Sequence, residues 1–325
     1  MCCDKKKVSV AMTCYNGSRY IVEQLDSLRL QTRKIDEVCI IDDNSTDNTI
    51  KIIQNYIARH NLTNWKVSSN NENLGWVKNF HKAILETTGD FVFFCDQDDI
   101  WHHDKIQLMT DILLKSDKIS VLACRLKLID SMGNHLPDMH KSFPFDSNGT
   151  KRILKNSLDN KFLYSISPGC TLAVKRELIT KLYGIESGKL LPHDALFWKI
   201  GTCLDCAYTY DEALIDYRIH SNNASNPAAT KNNRVKGKDL RIKEIDVFAN
   251  TMQLVKETIL QLKPPVKYIN TINCIIAHLR RRKSWLETGC TALFARYYIK
   301  EHSYYRNVRM FVGDFLSKIK YSNND

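Results

Sequence analysis

Apolar residues along the first part of the chain form two kinds of pattern. Runs of mainly apolar residues, typical of strands buried on both faces, lie at 8–12, 38–41 and 91–95. Between these runs, apolar residues recur every three or four positions, which is the spacing of a helix face. Strands that alternate with helices predict an α/β fold with a mainly parallel sheet and helices on both of its faces. Residues 130–165 are polar and irregular, so we expect a loop or flap there.

The pattern changes after about residue 220. Residues 221–238 are rich in Asn, Ala and Lys, which indicates a linker or mobile loop. Beyond it, apolar residues step by three and four from Ile245 to Leu262, and Pro264 must end that helix. Further helical spacing runs to about Trp285 and again over about 293–319. We therefore predict an α/β domain at 1–225 and a helical C-terminal module at 226–325.

Composition agrees with a globular protein. The chain has 325 residues, of which 43% are hydrophobic and 26% charged. No run of about 18 apolar residues is present, so a membrane-spanning helix is not expected. The start of the sequence also lacks the apolar core of a signal peptide. These observations predict a cytoplasmic protein.

The positive charge is concentrated in the predicted helical module. Residues 230–325 carry 19 Lys and Arg against 8 Asp and Glu, whereas the first 229 residues carry 28 of each. The module includes the basic run Arg280 to Lys283 and nearby tyrosines. Such helices can lie on an anionic bilayer, here the inner face of the membrane, or approach a lipid-diphosphate acceptor. A solvated helix face explains the same run, and no nucleic-acid motif is present to predict a nucleic-acid partner.

Polar clusters follow three of the predicted strands, at 13–17, 42–45 and 96–99. Ligands of open parallel sheets bind beyond the carboxyl ends of the strands, so these clusters are expected to converge. Gathered carboxylates repel one another unless a divalent cation neutralises them. The sequence therefore predicts an acidic site for a cation and an anionic ligand at this edge.

Two of the clusters contain paired carboxylates. Asp96 and Asp98 have the D-x-D spacing, which can hold Mg²⁺ or Mn²⁺ and leave positions open for diphosphate oxygens. A solvated turn has the same spacing, but the two companion clusters favour the metal site. Asp42 and Asp43 fit either a turn that caps the following helix or the recognition of a nucleobase and ribose. Their spacing does not separate these alternatives.

At this point the motifs resemble a known family. The similarity to family 2 glycosyltransferases of GT-A fold rests on 8–16, 41–47, 73–75 with 79–80, and 93–101. The run from Asp96 to Trp101 resembles the bacterial rhamnosyltransferase-like branch. Further matches lie at 169–171, 193–194 and 217–220, so the resemblance covers about residues 8–223.

The resemblance implies an inverting enzyme that moves a single sugar from a nucleotide-diphosphate donor. The expected acceptor is a hydroxyl of a glycan or lipid-linked saccharide in surface polysaccharide assembly. Asp194 matches the general base, Asp98 matches a ligand of the Mn²⁺ or Mg²⁺ cofactor, and His220 is an additional metal ligand. The expected nucleotide and donor contacts are Thr13, Tyr15, Asn16, Asp42, Asp43, Asn79, Asp96 and Arg218.

Two positions depart from the usual family pattern. Cys14 stands where Thr usually precedes the Tyr-Asn pair, and His193 stands where Glu often precedes the catalytic Asp. The second departure is shared by the rhamnosyltransferase-like branch. The Gln-x-x-Arg-Trp motif of processive polysaccharide synthases is absent from the sequence, which favours transfer of single sugars.

Two other classes of protein share some of these features. A nucleotidyltransferase acting on sugar phosphates would use a similar sheet and paired aspartates, but a Gly-rich basic loop after the first strand is missing. A non-catalytic nucleotide- or glycan-binding protein is the other alternative. The presence of Asp96, Asp98 and Asp194 together argues against it.

Overall fold

The computed structural model describes residues 6–136, 149–159, 162–185, 191–221, 223, 237–288, 302–305, 310–312 and 314. The chain forms two compact units. The first comprises Met1–Asn156 and Ile166–Asn223, and the second comprises Ser157–Ser165 and Ala224–Asp325. A division of the chain near residue 225 remains a prediction.

The first unit is a mixed α/β structure. Its strands are β1 (Val8–Cys14), β2 (Glu37–Asp42), β3 (Trp65–Ser69), β4 (Phe91–Cys95), β5 (Ile100–Trp101), β6 (Val121–Ile129), β7 (Ile153–Lys155), β8 (Leu172–Lys175) and β9 (Ala207–Arg218). Its helices are α1 (Ile21–Arg29), α2 (Thr49–Arg59), α3 (Trp76–Glu86), α4 (Lys105–Lys115), α5 (Arg176–Tyr183) and α6 (His193–Cys203).

The strands form one sheet in the order β3-β2-β1-β4-β8-β6-β9-β5, and β7 pairs with β9. The first four strands of the chain are parallel, as the apolar runs predict. The later strands make the sheet mixed, because β8 runs antiparallel to both β4 and β6, while β6 and β9 are parallel. Every residue of β1 and β4 is buried, which explains why apolar residues predominate in both strands, although β1 also buries Ser9 and Thr13.

The register of the central strands places their polar ends together. Cys14 of β1 is level with Asp42 of β2, and Met12 is level with Cys95 of β4. The residues that follow these three strands therefore share one edge of the sheet. In the region expected to be a loop, β7 is a short exposed strand at 153–155, and 137–148 lie outside the described residues.

The second unit is helical. Helices α7 (Lys238–Gln261) and α8 (Val266–Thr288) pack against each other. The turn between them contains Pro264, as predicted. Most of the helix expected over 293–319 lies outside the described part of the chain. None of the described helices combines the length and the hydropathy needed to cross a membrane.

Candidate active site

The loops after β1 and β2 are joined by hydrogen bonds. The Asn16 side-chain oxygen accepts the backbone N–H of Thr46 at 2.8 Å, and the hydroxyl oxygen of Ser45 accepts the N–H of Asn16 at 2.9 Å. Asn16 has a φ of 48°, in the left-handed region that asparagine tolerates better than most residues. The convergence expected from the sequence is thus present between these two loops.

Gln97 joins the loop after β4 to the loop after β1. Its Oε1 accepts the backbone N–H of Tyr15 at 2.8 Å, and its Nε2 donates to the carbonyl of Tyr15 at 3.0 Å. Gly17 leaves room for this side chain, since a Cβ there would lie 2.2 Å from Oε1. Sequence reasoning missed Gln97, because the middle residue of a D-x-D pattern carries no signal of its own.

Asp42 is buried, and both of its carboxylate oxygens accept hydrogen bonds from the protein. Oδ2 accepts the backbone N–H of Ser45 at 2.9 Å and the hydroxyl of Ser69 at 2.8 Å. Oδ1 accepts the hydroxyl of Ser45 and the thiol of Cys14. In this structure the carboxylate therefore fixes the turn after β2 to β1 and β3.

Asp43 organises the segment that leads into α3. Its carboxylate accepts the N–H of Leu74 at 2.8 Å, the N–H of Gly75 at 2.9 Å and the Asn70 amide at 2.8 Å. The buried Asn79 accepts from Asn70 at 2.9 Å and donates to the carbonyl of Ile41. Asp43 and Asn79 thus hold the start of α3 against the end of β2.

Asp98 and His220 lie side by side, as the sequence predicts. The Nε2 atom of His220 is 2.8 Å from Oδ2 of Asp98, and the His220 ring packs on Tyr20 with centroids 5.0 Å apart. Both side chains are mostly buried, at 10% and 13% exposed. A carboxylate oxygen and an imidazole nitrogen this close are suitable neighbouring ligands for one divalent cation.

Arg218 is buried and is held by several hydrogen bonds. It is 1% exposed, and its guanidinium donates to the carbonyl of Asp98 at 2.9 Å and to the carboxylate of Glu23 at 2.6 Å. Its backbone N–H donates to Asp99, and its guanidinium lies over the Tyr20 ring. These partners join Arg218 to the Asp96–Asp99 turn, and its expected contact with the donor diphosphate remains a prediction.

Asp96 belongs to a cluster that the sequence pattern did not reveal. Ligand atoms of Asp96, Asp99 and Cys170 all lie within 4.8 Å of one another. Burial, together with the charges of Asp98 and Asp194, raises the pKa of Asp96 to about 7. The antiparallel register of β4 and β8, extended along the chain, brings Cys170 opposite Asp96. This cluster is a second set of candidate metal ligands.

A buried lysine lies beside this cluster. Lys105 is fully buried, donates to the carbonyl of Cys170 at 2.6 Å, and holds its ammonium 3.4 Å from the centre of the Trp101 ring. Burial raises the pKa of Asp99, and the charges of Asp98 and Asp96 raise it further. Burial lowers the pKa of Lys105, and the positive charge of Lys105 opposes the rise in the pKa of Asp96.

Asp194 is the second residue of α6. Its Oδ1 accepts the N–H of Ala195 at 2.7 Å. Burial raises the pKa of Asp194, while the charge of Lys199 opposes that rise. The charge of Asp194 in turn helps to raise the pKa of Asp96, so the two carboxylates share one environment. Asp194 is thus near enough for its charge to act on Asp96, which is two residues before Asp98 in the sequence.

His193 fixes the beginning of α6. Its ring stacks on Phe80 with centroids 3.8 Å apart, and it meets Phe94 edge to face. Gly169 permits this packing, because a Cβ there would lie 2.1 Å from Nε2 of His193. Burial lowers the pKa of His193 to about 3, so the ring is neutral. His193 thus positions Asp194 through aromatic packing.

Comparison with known protein families identifies the family of this chain. A family model described as glycosyl transferase family 2 matches residues 9–179, which is more than half of the chain. The chain belongs to glycosyl transferase family 2. The expectation drawn from the sequence motifs is confirmed.

Individual glycosyltransferases are similar to this one over most of its length. The dTDP-rhamnosyl transferase RfbG of Shigella flexneri is 27% identical over 65% of this chain and 72% of its own. The crystal structure of S. aureus TarS 1–349 with UDP is 21% identical, with a TM-score of 0.57 over 91% of this chain and 77% of that one. The mannosyltransferase PcManGT of Pyrobaculum calidifontis, with GDP-Man and Mn²⁺, is 16% identical, with a TM-score of 0.60 over 98% and 88%. These structures show that the fold is GT-A.

In this family 2 glycosyltransferase the expected site residues fall into two groups. Tyr15 and Asn16 are exposed at the edge of the sheet, and Asp96, Asp98, Asp194 and His220 are partly exposed. The second group is buried against the protein: Thr13, Asp42, Asp43, Asn79 and Arg218. A direct contact between any residue of the second group and a nucleotide remains a prediction.

Proposed function

We propose that this glycosyltransferase moves a single sugar, with inversion, from a nucleotide-diphosphate donor to a hydroxyl of a glycan or lipid-linked acceptor. Surface polysaccharide assembly is the process that we infer. The proposal rests on one observation above the others: Asp194, from a distant part of the chain, lies close enough to the Asp96–Asp98 turn for its charge to raise the pKa of Asp96. Of the similar proteins named above, RfbG is named a dTDP-rhamnosyl transferase, the TarS structure contains UDP, and the PcManGT structure contains GDP-Man.

The donor is proposed to bind along the edge formed by the loops after β1, β2 and β4. Tyr15 is 45% exposed and offers an aromatic face beside Asn16. Thr13, Asp42, Asp43 and Asn79 shape and line the nucleotide pocket, and Asp96 contacts the ribose or the donor sugar. These assignments follow the family motif together with the shared edge of the sheet.

Asp98 and His220 would hold the cofactor, Mn²⁺ or Mg²⁺. Their oxygen and nitrogen atoms lie 2.8 Å apart, and these ligand types suit Mn²⁺. When bound, such a cation neutralises charge that develops on the leaving diphosphate. Arg218 holds the carbonyl of Asp98 and thereby fixes the turn that carries this ligand.

Asp194 is proposed as the general base. A sugar hydroxyl is a poor nucleophile, so its proton must be removed as it attacks the anomeric carbon. A carboxylate whose pKa is raised by burial accepts that proton more readily than an ordinary one. A single displacement of the nucleoside diphosphate then inverts the anomeric centre.

The first experiment is a thermal-shift screen of nucleotide sugars with and without Mn²⁺, followed by transfer assays with the best donor. Asp194→Asn is expected to bind donor like the wild type and to lose transfer. Asp117→Asn, an exposed change in the turn before β6, should leave both unchanged. Near-normal transfer by Asp194→Asn would remove this residue from the mechanism, and no shift with any nucleotide sugar would contradict donor binding.

We also infer cytoplasmic action close to the inner face of the membrane, with the basic second unit as the contacting part. The net charge of +11 lies in residues 230–325. Basic helices bind anionic bilayers through charge as well as through apolar burial. Co-sedimentation with anionic vesicles, and its absence with neutral vesicles, tests this inference.

A further inference from the structure

The basic run 280–283 does not act as one patch. Arg282 is buried and donates to both oxygens of Asp314, at 2.6 and 3.0 Å. Lys283 donates to both oxygens of Asp246, at 2.8 Å each. These two cations are neutralised within the second unit. The packing of α7 and α8 therefore uses half of the run to stabilise the unit itself.

Arg280 and Arg281 lie beside a cavity of the second unit. They line a cavity of about 410 Å³ in the groove between α7 and α8. From α8 the lining residues are Asn273, Ile276, Ala277, Arg280 and Arg281, which recur at the spacing of one helix face. From α7 the lining residues are Gln253 and Lys256, one turn apart. The size of the cavity falls within the range of about 300–1,000 Å³ that is usual for small-ligand pockets.

The described lining of this groove carries positive charge. It contains Lys256, Arg280 and Arg281, and none of the described lining residues is a carboxylate. In the part of the chain that the structure describes, neither Lys256 nor Arg280 has an ion-pair partner. The neighbouring Glu257 points its carboxylate at the Gln253 amide, which donates to it at 2.9 Å. Cations gathered around one cavity repel each other, so an anion that enters it is favoured.

We propose that this groove, defined by Gln253, Lys256, Asn273, Ala277, Arg280 and Arg281, binds a phosphate-bearing anion. Guanidinium groups match phosphate oxygens in geometry and charge, and lysine adds a compact charge. Asn273 supplies an uncharged donor, and the small Ala277 leaves the space that the anion occupies. The inference rests on contacts within the second unit alone and does not depend on the glycosyl-transfer proposal.

Two probes separate the sources of such a phosphate. Binding of inorganic pyrophosphate to the full chain is measured by calorimetry at low salt. Binding to vesicles of phosphatidylcholine, with and without phosphatidylglycerol, is measured by co-sedimentation. Pyrophosphate binding indicates a soluble phosphate group as ligand, and binding only to the anionic vesicles indicates a lipid headgroup. Either result supports the proposal when the variants below respond as expected.

The site variant combines Lys256→Gln with Arg280→Gln. Loss of two charge-assisted contacts is expected to weaken binding by about tenfold or more. The control combines Lys243→Gln with Lys267→Gln, which removes the same charge from exposed positions on the same two helices and should bind like the wild type. Equal loss in both double variants would mean that general basicity, rather than the groove, attracts the anion, and would overturn the proposal.

A third variant keeps every charge and fills the cavity. Ala277→Leu is expected to weaken binding as the double site variant does, because the added side chain takes the space of the ligand. Unchanged binding by Ala277→Leu, or no binding of either probe by the wild type, would also overturn the site. Thermal melts and Mn²⁺-dependent donor binding are recorded for all variants, so a folding defect or a failure of the active-site proposal is seen separately.

Discussion

The side-chain amide of Gln97 forms two hydrogen bonds with the backbone of Tyr15, at 2.8 and 3.0 Å. Tyr15 is exposed at the edge where the donor is proposed to bind, whereas Gln97 lies between the two aspartates of the D-x-D pattern. One side chain thus sets the distance between the proposed nucleotide-binding loop and the proposed metal-binding turn.

Gln97→Ala removes both of these bonds and is expected to weaken donor binding by about tenfold, since each net hydrogen bond contributes about 1 kcal/mol. Nucleotide-sugar titration by calorimetry measures the change. Gln107→Ala serves as the control, because Gln107 bonds only to Asp111 on the same helix face. Equal affinities of Gln97→Ala and the wild type would show that the link does not support the pocket.

The proposed general base predicts the pH dependence. Burial raises the pKa of Asp194, so its carboxyl keeps a proton up to a higher pH than an ordinary aspartate, whose pKa is about 3.9. A base must be deprotonated to act, so kcat/KM should fall as the pH drops through that raised value. The pH profile of transfer locates this acid limb. A limb at the ordinary aspartate value would contradict the assignment.

The metal site predicts loss of cation-dependent binding. His220→Ala and Asp98→Asn should each reduce the Mn²⁺-dependent part of donor binding by about tenfold or more, because each removes one ligand from the proposed pair. Chelation of metal should lower wild-type binding to the same level. His103→Ala, an exposed histidine on the same segment, should retain the Mn²⁺ effect. If His220→Ala also retains it, His220 is not a ligand.

Gly169→Ala should disturb the site without touching a reacting group. Its Cβ would lie 2.1 Å from the His193 ring, which is held between aromatic neighbours and has little room to move. We expect a loss of about 1–3 kcal/mol in the free energy of unfolding, together with lower kcat, because α6 carries Asp194. Gly184→Ala, where the nearest atom is 3.3 Å away, should be milder. Denaturant melts and transfer assays compare the two, and equal effects would contradict this view of His193.

The second unit offers a matched pair of stability measurements. Asp314→Ala leaves the buried Arg282 without its main partner and should cost about 3–5 kcal/mol of unfolding free energy. Asp246→Ala breaks the partly exposed pair with Lys283 and should cost about 0–1 kcal/mol. Similar losses in the two variants, measured by denaturant melts, would show that burial of the Arg282 pair is not what stabilises this unit.

The pattern of the sequence determined the first part of the fold. Runs of mainly apolar residues predicted β1, β2 and β4, because strands buried on both faces do not alternate regularly between apolar and polar positions. The polar residues after those strands then had to meet, since parallel strands end at one edge. The resemblance to the family rested on the motifs at these strand ends, and the helix break at Pro264 followed from the missing backbone N–H of proline.

Only the tertiary structure decided which polar groups face the ligand and which support the site. Asp42 and Arg218 are as polar as Asp98, yet neighbours distant in sequence take up their hydrogen-bonding atoms. Strand β8 runs antiparallel to β4 and brings Cys170 to Asp96. Its short apolar sequence gave no indication of this direction. The physical reason is common to these cases: local sequence fixes a residue's preference for helix, strand or turn, whereas burial and hydrogen-bond partners depend on what packs against it through space.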